Sequence, residues 1–293
     1  MKAHHNNKFD SRFNRLYFSL ISSLKLWMKR SMIFVLALIS SSVAYAQDDF
    51  NIPYVPTPGS VVQKMLDIAD VGPGDYLIDL GSGDGRIVID AAKRGAVGHG
   101  VEIERDLVRE AEDNARKAKV SDKVMFLEED VFETDFSRAS VITLYLMDII
   151  NIRLRPQLLD KLSPGTRVVS HSFGMKEWKP DKHVKEGEHD IFYWVVPAKI
   201  EGQWQWTVNG KQFTMLAKQE FQETRLDINV EGDSLEVKDH ALSGKQLNFI
   251  AVYPDSSLKY IYHGRIKGDE IKGKVQIIGN NTESIENWSA TVK

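Results

Sequence analysis

The sequence predicts an α/β, Rossmann-like domain, a mostly parallel sheet with an antiparallel last strand, followed by a small all-β barrel or sandwich. Three observations carry that reading. Residues 76–102, YLIDLGSGDGRIVIDAAKRGAVGHGVE, run as a short apolar strand, a glycine-rich turn, a helix-period segment and a second strand. Strand-like and helix-like segments keep alternating to about residue 197, the pattern of helices packed on a parallel sheet. From Ile200 the apolar period changes to two, with turns at regular intervals, which is the texture of an all-β unit.

The first 46 residues stand apart. They carry seven Lys or Arg and one Asp. A basic start at Met28-Lys29-Arg30, an apolar core over 32–39 and a small-residue tail ending Ala44-Tyr45-Ala46 form a signal-peptide pattern, with cleavage expected after Ala46. The apolar core is shorter than the roughly twenty residues that a membrane-spanning helix needs, so no transmembrane span is expected in the mature chain. Residues 1–27 precede this complete signal and read as an over-extended start, with Met28 as the true one. The pattern implies an exported, periplasmic protein with two domains, 47–198 and 199–293.

Within the first domain each element has a local cause. Residues 48–58 are proline-rich and extended, because each proline fixes its own φ and keeps its predecessor out of the helical region. Thr57 and Pro58 then open a helix with Val61, Val62, Met65, Leu66, Ile68 and Ala69 on its apolar face. Gly72-Pro73-Gly74-Asp75 turns the chain into the first strand. A helix over 84–94 stops at Gly95, and another over 105–119 aligns Leu107, Val108, Ala111 and Ala115. Residues 124–127, 140–147 and 167–171 read as strands three to five, with a helix over 151–162. Residues 182–186 and 190–196 form an edge hairpin around Gly187-Glu188.

The glycine turn defines a candidate binding site. Gly81, Gly83 and Gly85 let the backbone approach a ligand closely, and the helix behind them offers free N–H groups. Glu102 lies about twenty residues past Gly81, the spacing of a carboxylate that accepts from both ribose hydroxyls. The dinucleotide fingerprint G-x-G-x-x-G needs a glycine where Arg86 stands, which argues against a dinucleotide oxidoreductase. Asp79 and Asp84 flank the loop; they disfavour a diphosphate and suit an ammonium group. A ligand with a ribose and a cationic amine but no phosphate fits, and S-adenosylmethionine is such a ligand.

The stretch Asp79-Leu80-Gly81-Ser82-Gly83-Asp84-Gly85-Arg86, with the following helix and Gly100-Val101-Glu102, resembles motif I and the next acid of class I S-adenosylmethionine-dependent methyltransferases. Further stretches are Pro53-Tyr54-Val55-Pro56-Thr57-Pro58, Leu144-Tyr145-Leu146, and Arg167-Val168-Val169-Ser170-His171 with Trp178 and Pro180. They narrow the resemblance to the family of mitochondrial protein-lysine methyltransferases that act on the ATP-synthase c subunit and the adenine nucleotide translocator. It covers residues 50–197 or so. The resemblance implies S-adenosyl-L-methionine as cofactor, with Gly81, Ser82, Gly83 and Asp84 around its methionine end and Glu102 on the ribose. Asp130 would meet the adenine amino group and Val131 would pack on the ring. Asp79 would support the loop and the ammonium group, and Arg86 would anchor the helix start.

The same resemblance lays the 53–58 segment across the cofactor, with Thr57 and Tyr54 as its candidates, and turns residues 144–148 toward the methyl group. Tyr145 and Tyr54 are the candidate catalytic residues, lining a channel that aligns a neutral amine, since methyl transfer to nitrogen depends on positioning and desolvation. No Asn-Pro-Pro-Tyr motif and no paired Glu stands at 144–148. That weighs against nucleobase, glutamine and arginine acceptors and leaves lysine open, and the resemblance implies the lysine of a protein substrate. Asp148 departs from the uncharged residue usual there. The alternative is a catalytically silent domain that binds S-adenosylmethionine or S-adenosylhomocysteine, with the β domain as the working part.

Composition narrows the partners further. Apolar residues make up 42% and charged residues 27%, values of a globular protein. Residues 47–293 hold 31 basic against 40 acidic side chains, a balance that argues against a nucleic-acid partner held through phosphates. With no cysteine, there is no disulfide, thiolate metal site or cysteine nucleophile. His171, His183 and His189 lack metal-ligand spacing and read as structural, so no metal is expected. Beyond residue 200, Trp204 and Trp206, Leu226, Ile228 and Val230, and Tyr260 and Tyr262 alternate with polar residues. Gly202-Gln203-Trp204 resembles the opening of lipocalin-like barrels. Three roles stay open for this half: binding a ligand, recruiting a protein, or capping the first domain.

Overall fold

The computed structural model describes residues 54–254, 258–279 and 281–293; the signal-peptide region expected over 1–46 lies outside them. The first sheet has seven strands: β1 (Tyr76–Leu80), β2 (Val97–Glu102), β3 (Val124–Glu128), β4 (Val141–Leu144), β5 (Arg167–His171), β6 (Lys182–Glu186) and β7 (His189–Val195). Their order is β3-β2-β1-β4-β5-β7-β6. The first five run parallel, and β7 lies antiparallel between β5 and β6. The chain winds outward from β1 to β3 and then returns to lay β4 on the other side of β1. That reversal opens a crevice at the carboxyl ends of β1 and β4, where doubly wound sheets place ligands.

Among the described residues four helices pack on the sheet: α1 (Gly59–Ile68), α2 (Arg86–Lys93), α3 (Arg105–Ala118) and α4 (Asp148–Lys161). Leu77, Ile78 and Leu80 of β1 are fully buried, because helices cover both faces of a parallel sheet. Ile87, Val88, Ile89, Ala91 and Ala92 of α2 join Val61, Met65 and Leu66 of α1 in one core. The fourth strand is shorter than the sequence pattern predicts, and α4 begins earlier. Leu144 is the last residue of β4 with partners, Leu80 on one side and Ser170 on the other. Tyr145 to Met147 have no strand partner and leave the sheet. Asp148 then starts the helix, where an acid suits the positive end of the helix dipole.

The second sheet is a closed barrel of eight antiparallel strands, β8 (Gly202–Val208), β9 (Lys211–Glu220), β10 (Glu223–Val230), β11 (Asp233–Ser243), β12 (Gln246–Val252), β13 (Lys259–Lys267), β14 (Glu270–Ile278) and β15 (Glu283–Val292). Pairing of Thr291 with Gln205 and Val292 with Trp204 closes the ring, so the unit is a barrel and not a sandwich. Trp204, Trp206, Phe213, Phe249, Tyr260, Tyr262 and Trp288 are buried in one cluster. Phe249 stacks on Tyr262 at 4.4 Å, and the Trp206 indole donates to the Tyr262 hydroxyl at 3.1 Å. Aromatic side chains thus fill the lumen in which a lipocalin-like barrel would hold a ligand.

Candidate active site

The loop from Leu80 into α2 is tied to the end of β2. The amides of Gly81 and Ser82 both donate to the Val101 carbonyl at 2.9 Å, turning the backbone back over the sheet edge. The Glu102 carboxylate then holds the loop from the side. Its Oε2 accepts from the Gly83 amide at 2.9 Å, while Oε1 accepts from the amides of Ile103 and Glu104 at 2.8 and 3.0 Å. Gly83 has φ +51 and the Tyr54 ring lies over it; a Cβ there would stand 2.2 Å from Tyr54 Cε2. Only glycine fits that position, on both conformation and space.

Three acids surround this loop, each in a different state. Asp84 pairs bidentately with Arg86, through Nε at 2.9 Å and Nη2 at 2.6 Å. Burial works to raise its carboxyl, but the Arg86 guanidinium outweighs that and holds it below the ordinary carboxylate range. Arg86 also donates to the Thr57 carbonyl at 2.7 Å, which fastens the 54–58 segment to the start of α2. Asp79 is only 1% exposed and accepts from the Thr143 hydroxyl at 2.7 Å. Burial pushes it up to about 7, against the pull of Thr143 and reinforced by Glu102 and Asp84. It is therefore poised to ionise beside a cation. The Ser82 hydroxyl is buried with no hydrogen-bond partner.

The other side of the crevice is aromatic. Tyr145, just past β4, lies 3.9 Å from the His171 ring and 6.1 Å from Phe173. His171 ends β5 and is fully buried, with Nδ1 3.2 Å from the Thr57 hydroxyl and Nε2 2.9 Å from His189 Nδ1. Burial, and then His189, lower it to about 4, so it is neutral near pH 7. Asp148 accepts from the Gly174 amide at 3.0 Å, and Asn151 donates to Ser170 and to the Phe173 carbonyl, both at 3.2 Å.

The structure brings Tyr54, Thr57, Asp79, Gly81, Ser82, Gly83, Asp84, Arg86, Glu102 and Tyr145 to one end of the sheet. Asp84 differs from the sequence reading in one respect: its charge is matched by Arg86, which leaves Asp79 as the acid suited to an ammonium group. Asp130 and Val131 follow the end of β3, where Asp130 accepts from the Phe132 amide at 2.9 Å and shapes its own turn. The neighbouring Glu129 amide donates to the Glu102 carbonyl at 3.1 Å. Phe173 and Thr143 lie beside these residues and were not singled out from the sequence, while His171 and His189, read there as structural, stand at the same edge. His171 carried a usable signal as the polar last residue of a buried strand ending at the ligand edge. Among the described residues no cluster of His, Asp or Glu suited to a metal occurs.

Comparison with known proteins agrees with this geometry. The family model of the ANTKMT methyltransferase domain matches residues 79–182. A protein-lysine N-methyltransferase of Saccharolobus islandicus is 42% identical over 154 residues, covering 50% of this chain and 94% of that protein. The ATP synthase c-subunit lysine N-methyltransferase of Xenopus laevis is 30% identical over 162 residues, covering 55% and 71%. A crystal structure described as an RNA methyltransferase from Salinibacter ruber, in complex with S-adenosyl-L-homocysteine, is 52% identical. It covers 50% of this chain and 96% of that one, with a TM-score of 0.49. The fold and the loop define a class I S-adenosylmethionine-dependent methyltransferase. Within that class, the chain belongs to the family of these protein-lysine N-methyltransferases.

The residues present fit the cofactor. Glu102 offers a carboxylate where the resemblance would put the ribose, and Asp79 a buried acid that a cationic amine would ionise. Gly81 and Gly83, both with positive φ, keep the loop free of side chains on the ligand side.

Proposed function

We propose that this protein transfers the methyl group of S-adenosylmethionine to a lysine side chain of a protein. The observation that carries the reading is the aromatic side of the crevice, where Tyr145 packs on the rings of His171 and Phe173. Lysine reacts only as the free amine, and a pair of acids there would hold it as ammonium. A wall of three rings excludes water and disfavours the charged form. The hydroxyls of Tyr145 and Tyr54 can accept from an amine N–H without bringing a formal charge. Asp148, the one nearby acid on α4, is engaged by the Gly174 amide. When bound, the cofactor supplies an electrophilic methyl on a sulfonium. The chain's own residues then hold it in the loop and set the amine in line. The lysine activity of the relatives supports the same reading.

The test is incubation of the purified protein with methyl-labelled S-adenosylmethionine and a cell-envelope extract. Label should appear in protein, survive nuclease, and emerge as methyl-lysine after hydrolysis. Label lost on nuclease treatment, or found in another amino acid, overturns the reading. We further propose, from the signal-peptide pattern of residues 28–46, that the protein acts outside the cytoplasm. Sequencing of the exported chain should begin Gln47-Asp48-Asp49; an intact start at Met28 in the envelope fraction would refute cleavage.

A further inference from the structure

The barrel lies beyond residues 79–182, the stretch that the family model matches, yet it touches the loop that follows β5. Its contact is the tip of the β9–β10 hairpin, Phe221-Gln222. Phe221 has φ +57, a conformation unusual for a bulky side chain and therefore one the surroundings must enforce. The Phe221 ring stacks at 6.2 Å on Trp178, which is fully buried, and the Arg155 guanidinium of α4 sits 5.4 Å above the same ring. Gln222 accepts from the Trp178 indole at 2.9 Å and donates to the Lys179 carbonyl at 2.7 Å. Lys179 pairs with Glu223 at 2.8 Å, and Gln219 donates to the Phe221 carbonyl at 2.7 Å.

Trp178 and Lys179 belong to the 172–181 loop that joins β5 to β6. The start of that loop is Phe173, whose ring faces Tyr145. One face of α4 holds the loop from below: Asp148 takes the Gly174 amide, Asn151 gives to the Phe173 carbonyl, and Arg155 gives to the Met175 carbonyl at 2.7 Å. Positions 148, 151 and 155 recur at helical spacing, so a single rigid element sets residues 173–175. The far half of the loop, 176–180, is fixed by β7, through the Trp194 indole on the Trp178 carbonyl at 2.8 Å, and by the barrel tip. Arg155 connects the two halves, because it binds Met175 and Phe221 at once.

We propose that the β9–β10 hairpin tip is a brace for the 172–181 loop, making Phe221 and Gln222 positioning residues for the methyl acceptor. The assignment of an acceptor to this wall rests on the reading in the preceding subsection; the brace itself does not. The barrel is then a working part of the transferase whose hairpin stiffens one wall of the acceptor site. A loop of this length held from one side only would open locally at low cost, since local stability follows the number of buried contacts.

Hydrogen exchange of the full-length protein tests the brace without an acceptor. In Gln222→Ala, which removes two hydrogen bonds and no packed ring, amides of 172–181 should exchange about tenfold faster. Amides of 78–86 should be unchanged. Phe221→Ala should act more strongly, and Phe221→Trp should restore protection. S-adenosylhomocysteine affinity should stay within about twofold in every variant, whereas acceptor KM should rise about five- to tenfold with kcat little changed, the signature of lost positioning in binding. Unchanged exchange of 172–181 in both alanine variants overturns the proposal, as does an equal loss of cofactor affinity. Faster loop exchange in a protein that methylates no lysine would leave the brace standing and defeat only the lysine reading.

Discussion

Replacing Glu102 by glutamine isolates the charge and symmetry of one carboxylate from its size. In the structure both oxygens accept: Oε2 from Gly83, and Oε1 from Ile103 and Glu104. A glutamine amide offers one accepting oxygen, and its NH2 must then face an N–H donor on the other side. The Ile103 side is at the surface, where water can replace the lost acceptor. With its oxygen turned to Gly83 the glutamine keeps the buried bond but loses the charge on the acceptor, at a cost of about 1 kcal/mol. Glu102→Ala removes all three bonds and should cost about 3 kcal/mol. Urea unfolding measures those losses directly. Titration calorimetry with S-adenosylhomocysteine should show affinity falling over tenfold in Glu102→Gln and over a hundredfold in Glu102→Ala, where loop order and the ribose acceptor disappear together. Affinity within twofold of wild type in Glu102→Gln would refute the claim that this carboxylate organises the loop.

Other consequences follow from the same contacts. Gly83→Ala places a methyl group 2.2 Å from the Tyr54 ring at a backbone φ of +51, so it should displace Tyr54 and weaken cofactor binding at least tenfold in the same titration, at a stability cost of about 1–2 kcal/mol. Tyr145→Phe keeps the stack on His171 and Phe173 but removes the hydroxyl; kcat should fall with cofactor affinity unchanged, as measured by steady-state kinetics beside calorimetry. Stability against pH should show two opposed titrations. His171 is depressed from 6.5 to about 4, so its contribution is complete above pH 6.5 and is lost as pH falls, by about 2 kcal/mol between pH 7 and 5. Asp79 is raised from 3.8 to about 7, so its contribution is complete below pH 4 and is lost as pH rises, a gain of similar size over the same descent. Urea midpoints of the wild type should then vary little between pH 7 and 5, while Asp79→Asn should lose about 2 kcal/mol and His171→Gln should gain about as much.

The glycine-loop part of the candidate site was legible because one βαβ unit contains it, whereas Thr57, Asp130 and Val131 lie outside that unit. Asp79, the glycines, Arg86 and Glu102 lie within residues 76–102, and their spacing is fixed by the length of a strand, a turn and a helix. The acceptor half has no such continuity. Thr57 precedes α1, Tyr145 follows β4, His171 ends β5, and Phe221 comes from the barrel; only the strand order brings them together. The barrel's existence could be read from its period-two texture. Its filled lumen could not, because alternation tells which residues point inward and says nothing of whether their volumes meet. The Arg86–Asp84 pair shows the same limit at short range, since both charges were visible but only the structure shows that they neutralise each other.

His189 explains why the sequence, which marks His171 and His189 as structural, does not show that they meet. Residues 171 and 189 are eighteen apart and share no helical or hairpin ligand spacing. What joins them is the direction of β7. In a parallel strand the carboxyl end reaches the ligand edge, and Val195 would lie there. Because β7 runs antiparallel to β5, its first residue, His189, arrives at that edge instead, with Ile191 paired to His171 in the register. The His171 ring then gains a partner for Nε2 while Thr57 takes Nδ1, and a buried imidazole is fixed at both nitrogens. A ring held that way cannot turn, so the Tyr145 ring packed against it has one orientation to adopt. The antiparallel direction of β7 is thus what brings the aromatic wall its second histidine.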